Sequence, residues 1–194
     1  MKTSKLPKAI YEASVKFGLL SIDQKYFCKQ ITDGVSSDIW HVKTSSNEYC
    51  IKRALAKLTV KEDWFAPINR NNYEAKYFTH CKIIEPNSFP KILGHDDENY
   101  ILAMEWFDNT KFVVWKKKLL KKSVSLKDGK RIGKLLGVIH KSFFNKNKYK
   151  QLFLNDKTFY DIRIEPYLLF TSKFYPELAD SYRTTVEFLT KKKI

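Results

Sequence analysis

"YCIKRALAKLTVKEDWFAPINRNNYEAKYFTHCKII", residues 49–84, opens as a strand and closes as a helix. Tyr49-Cys50-Ile51 has the apolar character of a buried strand, and Lys52 puts a charge inside it. Pro67 suits a first helical turn, and residues 68–84 then read as helix. Glu74 falls on that helix, 22 residues after Lys52. A strand that carries a lysine, followed by a helix that carries a glutamate, sets the frame for everything on either side.

Working outward on the N-terminal side, residues 24–32 and 38–44 read as two further strands. The turn between them contains Gly34-Val35-Ser36-Ser37, and "SSNE" makes the next hairpin. Before them, Leu6, Ile10, Ala13 and Phe17 share one helical face, and Gly18 is a plausible stop. On the C-terminal side "EPNSFP" breaks the helix. "KILGHD" and "YILAMEWF" then form a hairpin across Asp97-Glu98-Asn99. After Phe107 the strand signals cease, and helical patterns follow at about 110–122, 127–144, 157–174 and 176–191. The expected fold class is α+β: an antiparallel sheet with one inserted helix over residues 1–107, then a helical region over 108–194, with the junction near Phe107–Asn109.

Composition bounds the class. The chain has 194 residues, 43% hydrophobic and 15% aromatic, which is a globular balance. No apolar run approaches the ~20 residues that span a bilayer. The N-terminus lacks a secretory signal pattern. Cys28, Cys50 and Cys81 are odd in number and widely spaced, as expected of reduced thiols in a cytoplasm, with no metal site. Net charge is +15, and the excess is concentrated late: residues 1–106 carry +2 and residues 107–194 carry +13. It is written with 31 lysines against 5 arginines, whereas proteins that read bases or phosphates through forked contacts favour arginine. A basic nucleic-acid-binding protein is therefore a rival reading but not the leading one.

Three local features carry chemistry. A strand lysine can hold nucleotide phosphates if a carboxylate on a rigid neighbour positions its ammonium, and Lys52 with Glu74 fits that requirement. The same residues also fit a solvated strand face and helix surface. The turn Gly34–Ser37 has small residues that let backbone N–H groups approach phosphate oxygens, and it equally fits an ordinary hairpin turn. "AMEWF" (103–107) ends the last strand at the junction. Its backbone and Met104 could line an adenine edge, or it is simply a strand end. In order along the chain, the glycine turn, the lysine, the glutamate and the junction strand form the series a kinase-like nucleotide cleft requires.

"CKQITDGVSSDIWHV", the 49–78 stretch and "RIEPYLLFTSKFYPELA" resemble the phosphotransferase enzyme family. That family includes aminoglycoside phosphotransferases, choline kinase and methylthioribose kinase, and has a protein-kinase-like two-lobe fold. The resemblance covers most of residues 15–185 and is most specific from Val35 to Phe78. It implies ATP-dependent phosphorylation of a small-molecule hydroxyl. It implies that Gly34, Val35, Ser36 and Ser37 cover the triphosphate, and that Lys52 holds the α/β-phosphates and pairs with Glu74. It further implies that Met104, Glu105, Trp106 and Phe107 line the adenine hinge.

The departure from the family is as informative. Its catalytic loop carries His-Gly-Asp, with a later asparagine and aspartate that bind magnesium. His41, His80, His95 and His140 are the chain's histidines, and none is followed by Gly-Asp. His140 is expected to pack in its helix, and Asp128 in "KDGK" to cap one. ATP is the expected cofactor. Mg²⁺ is implied by the family, but its ligands are not in this chain, so no catalytic or metal residue is assigned. The expectation is a fragment, from a truncated frame or a natural pseudokinase-like product. It would hold the nucleotide lobe and part of a helical lobe, bind nucleotide weakly, and be inactive alone. A non-catalytic regulatory protein on the same fold is the other rival. Arg163 and Glu165, in "FYDIRIEPYLLF", are candidates for substrate contact or for a structural helix link. Leu135, Leu136, Ile139, Phe143, Tyr167, Leu168, Phe170 and Phe188 are more apolar groups than an isolated helical layer buries. They point to an exposed patch and to self-association.

Overall fold

In the computed structural model, which describes residues 5–32, 34–108 and 110–191, strand β3 (Glu48–Ala54) lies in the middle of a five-stranded sheet. The order is β1 (Phe27–Ile31), β2 (Ser37–Lys43), β3, β5 (Ile101–Glu105) and β4 (Ile92–Asp96), with every neighbouring pair antiparallel. The chain is thus α+β. The strand readings from sequence hold within a few residues. Asn109, part of the expected junction, lies outside the described residues.

Strand periodicity gives β3 two unlike faces. Tyr49 and Ile51, with Trp40 and Val42 of β2 and Ile101 and Ala103 of β5, form one core. That core is closed by helix α1 (Lys8–Lys16) through Ile10 and Ala13, with Leu6 just before the helix. Gly18 ends this helix with φ +69°, a conformation that costs glycine little. Phe17 packs where a side chain on Gly94 would stand: an added Cβ would lie 2.2 Å from the ring. Glycine in β4 is therefore what admits the ring. Each fully buried large side chain here contributes roughly 1.5–3 kcal/mol.

The other face of β3 presents Cys50, Lys52 and Ala54. Across β2 and β5 these stand beside His41, Ile39, Met104 and Leu102. Helix α2 (Arg70–Ile84) packs on this side. It starts two residues later than the sequence suggests. Pro67 sits in a preceding turn, where its carbonyl accepts from the Arg70 N–H (3.4 Å).

The β4–β5 turn is held by Asp96, which is 5% exposed. One carboxylate oxygen accepts from the N–H groups of Glu98 (3.2 Å) and Asn99 (3.0 Å), and the other from Lys16 Nζ (2.9 Å). The last residue of α1 is thereby tied to the end of β4. Burial alone would raise the Asp96 carboxyl. The Lys16 ammonium and the Asn99 donors outweigh it and hold the group well below the usual carboxylate range.

Beyond β5 the structure is helical: α3 (Trp115–Leu120), α4 (Leu126–Phe143), α5 (Asn147–Leu152), α6 (Asp156–Phe159), a π-helix (Tyr160–Leu169), α7 (Phe170–Ser172), a 3₁₀ turn (Pro176–Leu178) and α8 (Ala179–Lys191). Ser125 and Asp128 form a reciprocal capping box on α4. Asp128 is thus a first-turn capping partner, and Lys118 Nζ at 2.9 Å lowers its carboxyl to about 2. His140 is exposed on α4, contrary to the packing role expected of it, because Ile139 takes the buried position beside it. Of the apolar residues expected to form a patch, Leu136, Tyr167 and Phe188 are exposed and Ile139 is buried. Leu135, Phe143, Leu168 and Phe170 lie between. No helix of the described residues is long and apolar enough to cross a membrane.

Candidate nucleotide cleft

Lys52 and Glu74 meet. Lys52 Nζ lies 2.8 Å from Oε1 and 2.6 Å from Oε2 of Glu74, so the ammonium straddles the carboxylate. The pairing follows from the local structure. Lys52 is on the α2-facing side of a central strand, where it cannot reach bulk water freely, and Glu74 is on the inner side of the helix that covers that face. Their side chains are 15% and 33% exposed, and both line the same cleft.

The cleft has a volume of about 660 Å³. One wall comes from the sheet and α2, with Ser36, Ser37, Lys52, Asn71 and Glu74. The opposite wall is the π-helix, with Ile162, Arg163, Pro166 and Tyr167, while Leu58, Val60 and Trp64 of the β3–α2 connection close one end. A π-helix is rare, and a proline within it cannot donate to the helix ladder. Pro166 stands in this turn-widened segment, on the cleft side. Trp64 touches Phe170 of α7 edge-on at 5.0 Å, which ties the connection to the far wall.

The turn at Gly34–Ser37 is exposed at Gly34, Val35 and Ser36, and all but Gly34 line the cleft. It is anchored by Arg70. The guanidinium donates to the carbonyls of Ser36 (2.5 Å), Leu55 (2.7 Å), Pro67 (2.8 Å) and Ala66 (3.1 Å). Three chain segments are thus fixed by one side chain, the forked geometry lysine cannot reproduce. Burial pulls the Arg70 guanidinium below its ordinary value, and Glu74 partly offsets that. No motif in the sequence singles out Arg70. The one signal there is its rarity, as one of five arginines among 36 basic residues, placed at a helix start.

Arg163 lines the cleft opposite Lys52, and its Nη1 donates to the Ile162 carbonyl at 2.9 Å. Glu165 is exposed and outside the lining. The four junction residues are also outside it. Met104 stands beside Cys50 on the sheet, and Glu105 Oε2 accepts from the Lys91 N–H (3.1 Å). Trp106 stacks on His41 at 3.9 Å, and Phe107 on Phe112 at 4.6 Å. Their rings are engaged with the protein rather than turned to the cleft. Cys50, two residues before Lys52 on the same strand face, favours its protonated thiol. Burial pushes its thiol up to about 11, with Lys52 opposing and Glu74 reinforcing.

Lys52, Arg70 and Arg163 against Glu74 leave the cleft with an excess of positive charge, which favours an anionic ligand. Among the described residues no three His, Cys, Asp or Glu side chains gather where they could hold a metal ion. Glu74, the one carboxylate among the described residues that line the cleft, is committed to Lys52, so that lining offers no free carboxylate to the Mg²⁺ that the family resemblance implies. Searches against protein-family models and curated proteins found no match to this chain.

Proposed function

We propose that this chain binds a nucleoside triphosphate, ATP in the first instance, as a member of the phosphotransferase enzyme family with a protein-kinase-like, two-lobe arrangement. In this reading residues 1–107 are the nucleotide lobe and residues 108–194 contribute the facing wall. The observation that carries it is the Lys52–Glu74 ion pair at 2.6 Å on the wall of a cleft of about 660 Å³. Lys52 offers its ammonium to phosphate oxygens, Glu74 keeps it aimed, and the backbone of the Gly34–Ser37 turn covers the phosphates. The five-stranded antiparallel sheet, followed among the described residues by helices and turns, supports the same reading.

The family's reaction moves the γ-phosphoryl group to a small-molecule hydroxyl. It depends on positioning and charge neutralisation by groups that include the His-Gly-Asp loop. That motif is absent from these 194 residues, so the role assigned to them is binding. Thermal unfolding tests the reading. Excess ATP should raise the melting temperature of the parent chain, since a ligand bound only to the folded state stabilises by RT ln(1 + [L]/Kd). Lys52→Ala should abolish most of that rise. A parent chain whose melting temperature ignores ATP would reject the proposal.

A further inference from the structure

Asparagines surround Arg70 at the start of α2, and they end in different states. Asn72 donates through Nδ2 to the Asp97 carbonyl (3.3 Å), and its Oδ1 meets His95 Nε2 (3.2 Å). Asn71 is 1% exposed, yet neither its Oδ1 nor its Nδ2 has a hydrogen-bond partner among the described residues. It lines the same cleft as Lys52, one helical turn before Glu74 and on the same face. A carboxamide has two donor hydrogens and an acceptor oxygen. Protein interiors seldom leave such a group unpaired. Leucine would fill a similar space with nothing left unsatisfied. The arrangement makes sense if the partner arrives with the ligand.

We propose that Asn71 determines the specificity of the cleft. Its carboxamide takes a hydrogen-bond donor and acceptor held side by side on the nucleoside part of the ligand whose phosphates Lys52 engages. This rests on the nucleotide reading above. The ionised phosphates of a nucleotide offer acceptors and would leave Oδ1 without a donor, so they satisfy only half of the Asn71 carboxamide. A nucleoside presents the required pair in two places. In a ribose diol one hydroxyl donates to Oδ1 while its neighbour accepts from Nδ2. On an adenine edge the exocyclic amine donates and N7 accepts, a pairing that asparagine makes well.

The test compares the parent chain with Asn71→Leu, by calorimetric titration with ATP, 2′-deoxy-ATP, GTP and inorganic tripolyphosphate, and by unliganded melting temperature. Asn71→Leu should weaken ATP roughly tenfold or more, the order of one bidentate contact, and leave tripolyphosphate unchanged. Its melting temperature should hold or rise, because no native hydrogen bond is lost. Discrimination by the parent against 2′-deoxy-ATP identifies the diol as the partner, and discrimination against GTP identifies the base edge. Either preference should vanish in the variant. Equal ATP affinity in the two chains, or equal weakening of ATP and tripolyphosphate, would overturn the proposal. So would a fall in melting temperature shared by Asn71→Leu and Asn71→Ala, which would show the amide to be structural. If the parent binds neither ATP nor tripolyphosphate, the nucleotide reading itself fails and this proposal falls with it. Binding of both, unaffected at position 71, would remove this proposal alone.

Discussion

Residues 5–106 and residues 110–191 bury their apolar side chains very differently. The first region closes a core between α1 and the sheet, with Ile10, Val42, Tyr49, Ile51 and Ala103 at 0% exposure. In the second, Ile139 and Ile164 are the buried apolar residues among those described, while Leu120, Leu126, Phe144 and Phe174 are 66% exposed or more. The second region also carries most of the positive charge. The cleft lies where the two meet, so its walls differ in kind. Lys52 stands on a strand whose other face lies in the filled core, and Asn71 and Glu74 stand on α2, which packs on the opposite side of the sheet with Ala75 and Cys81 buried. Arg163, Pro166 and Tyr167 stand on a π-helix with a thin core behind it. A rigid wall can pre-aim charges, whereas a weakly supported wall can adjust to what is bound.

Core truncation should separate the regions most sharply. Ile51→Ala removes a side chain with 0% exposure from the centre of the sheet, and should cost about 2–5 kcal/mol. Leu136→Ala, at a position 46% exposed, should stay within about 0.5 kcal/mol. Urea unfolding of both variants measures the contrast, and equal losses would erase the distinction.

Limited proteolysis asks the same question of the whole chain. First cuts should fall after residue 107, roughly tenfold faster than any cut within the sheet, which corresponds to about 1.4 kcal/mol of local opening. ATP should slow the cuts near Arg163 if it bridges the two walls as proposed. First cuts inside the sheet region, with 110–191 protected, would reverse the ranking of the two regions.

Asp96 gives a smaller, pH-dependent effect confined to the first region. Its carboxyl is depressed in the fold, so the unfolded chain binds the proton more readily. The stability it contributes is fully present above the unfolded value of about 3.9 and is lost as pH falls through that value toward the folded one. Asp96→Asn should cost on the order of 1–2 kcal/mol at pH 7. It should also flatten the decline in stability below pH 4, as followed by acid titration of circular dichroism. An unchanged acid slope would mean that the contacts of Asp96 with Lys16 and Asn99 do not hold its carboxyl down.

Much of the first region is legible in the amino-acid pattern alone. Alternation in residues 38–44 and 49–55, with turn residues between, marks strands because a half-buried sheet permits little else. Lys52 and Glu74 are legible as a pair because a strand and the helix covering it are rigid and adjacent. Arg70 and Asn71 are not. Arg70 acts on carbonyls from three separate segments, and no local pattern encodes that meeting. Asn71 stands among asparagines that read as a polar helix start, and only burial separates it from Asn72. The helical half shows in outline, but its pattern gives no sign of α5 or of the π-helix. Hydrogen-bond spacing within a helix leaves little trace in apolar periodicity, and Pro166 alone points to an irregular turn there.

In the proposed reading the Lys52–Glu74 pair forms a phosphate-binding position on the wall made by β3 and α2. Equilibrium titration of a fluorescent ATP analogue against the parent chain and Lys52→Ala, both shown to be folded by circular dichroism, tests it most directly. Loss of one charge-assisted contact should weaken binding roughly tenfold to a hundredfold, and an exposed control, Lys8→Ala, should leave it unchanged. Equal affinities for the parent and Lys52→Ala would contradict the account.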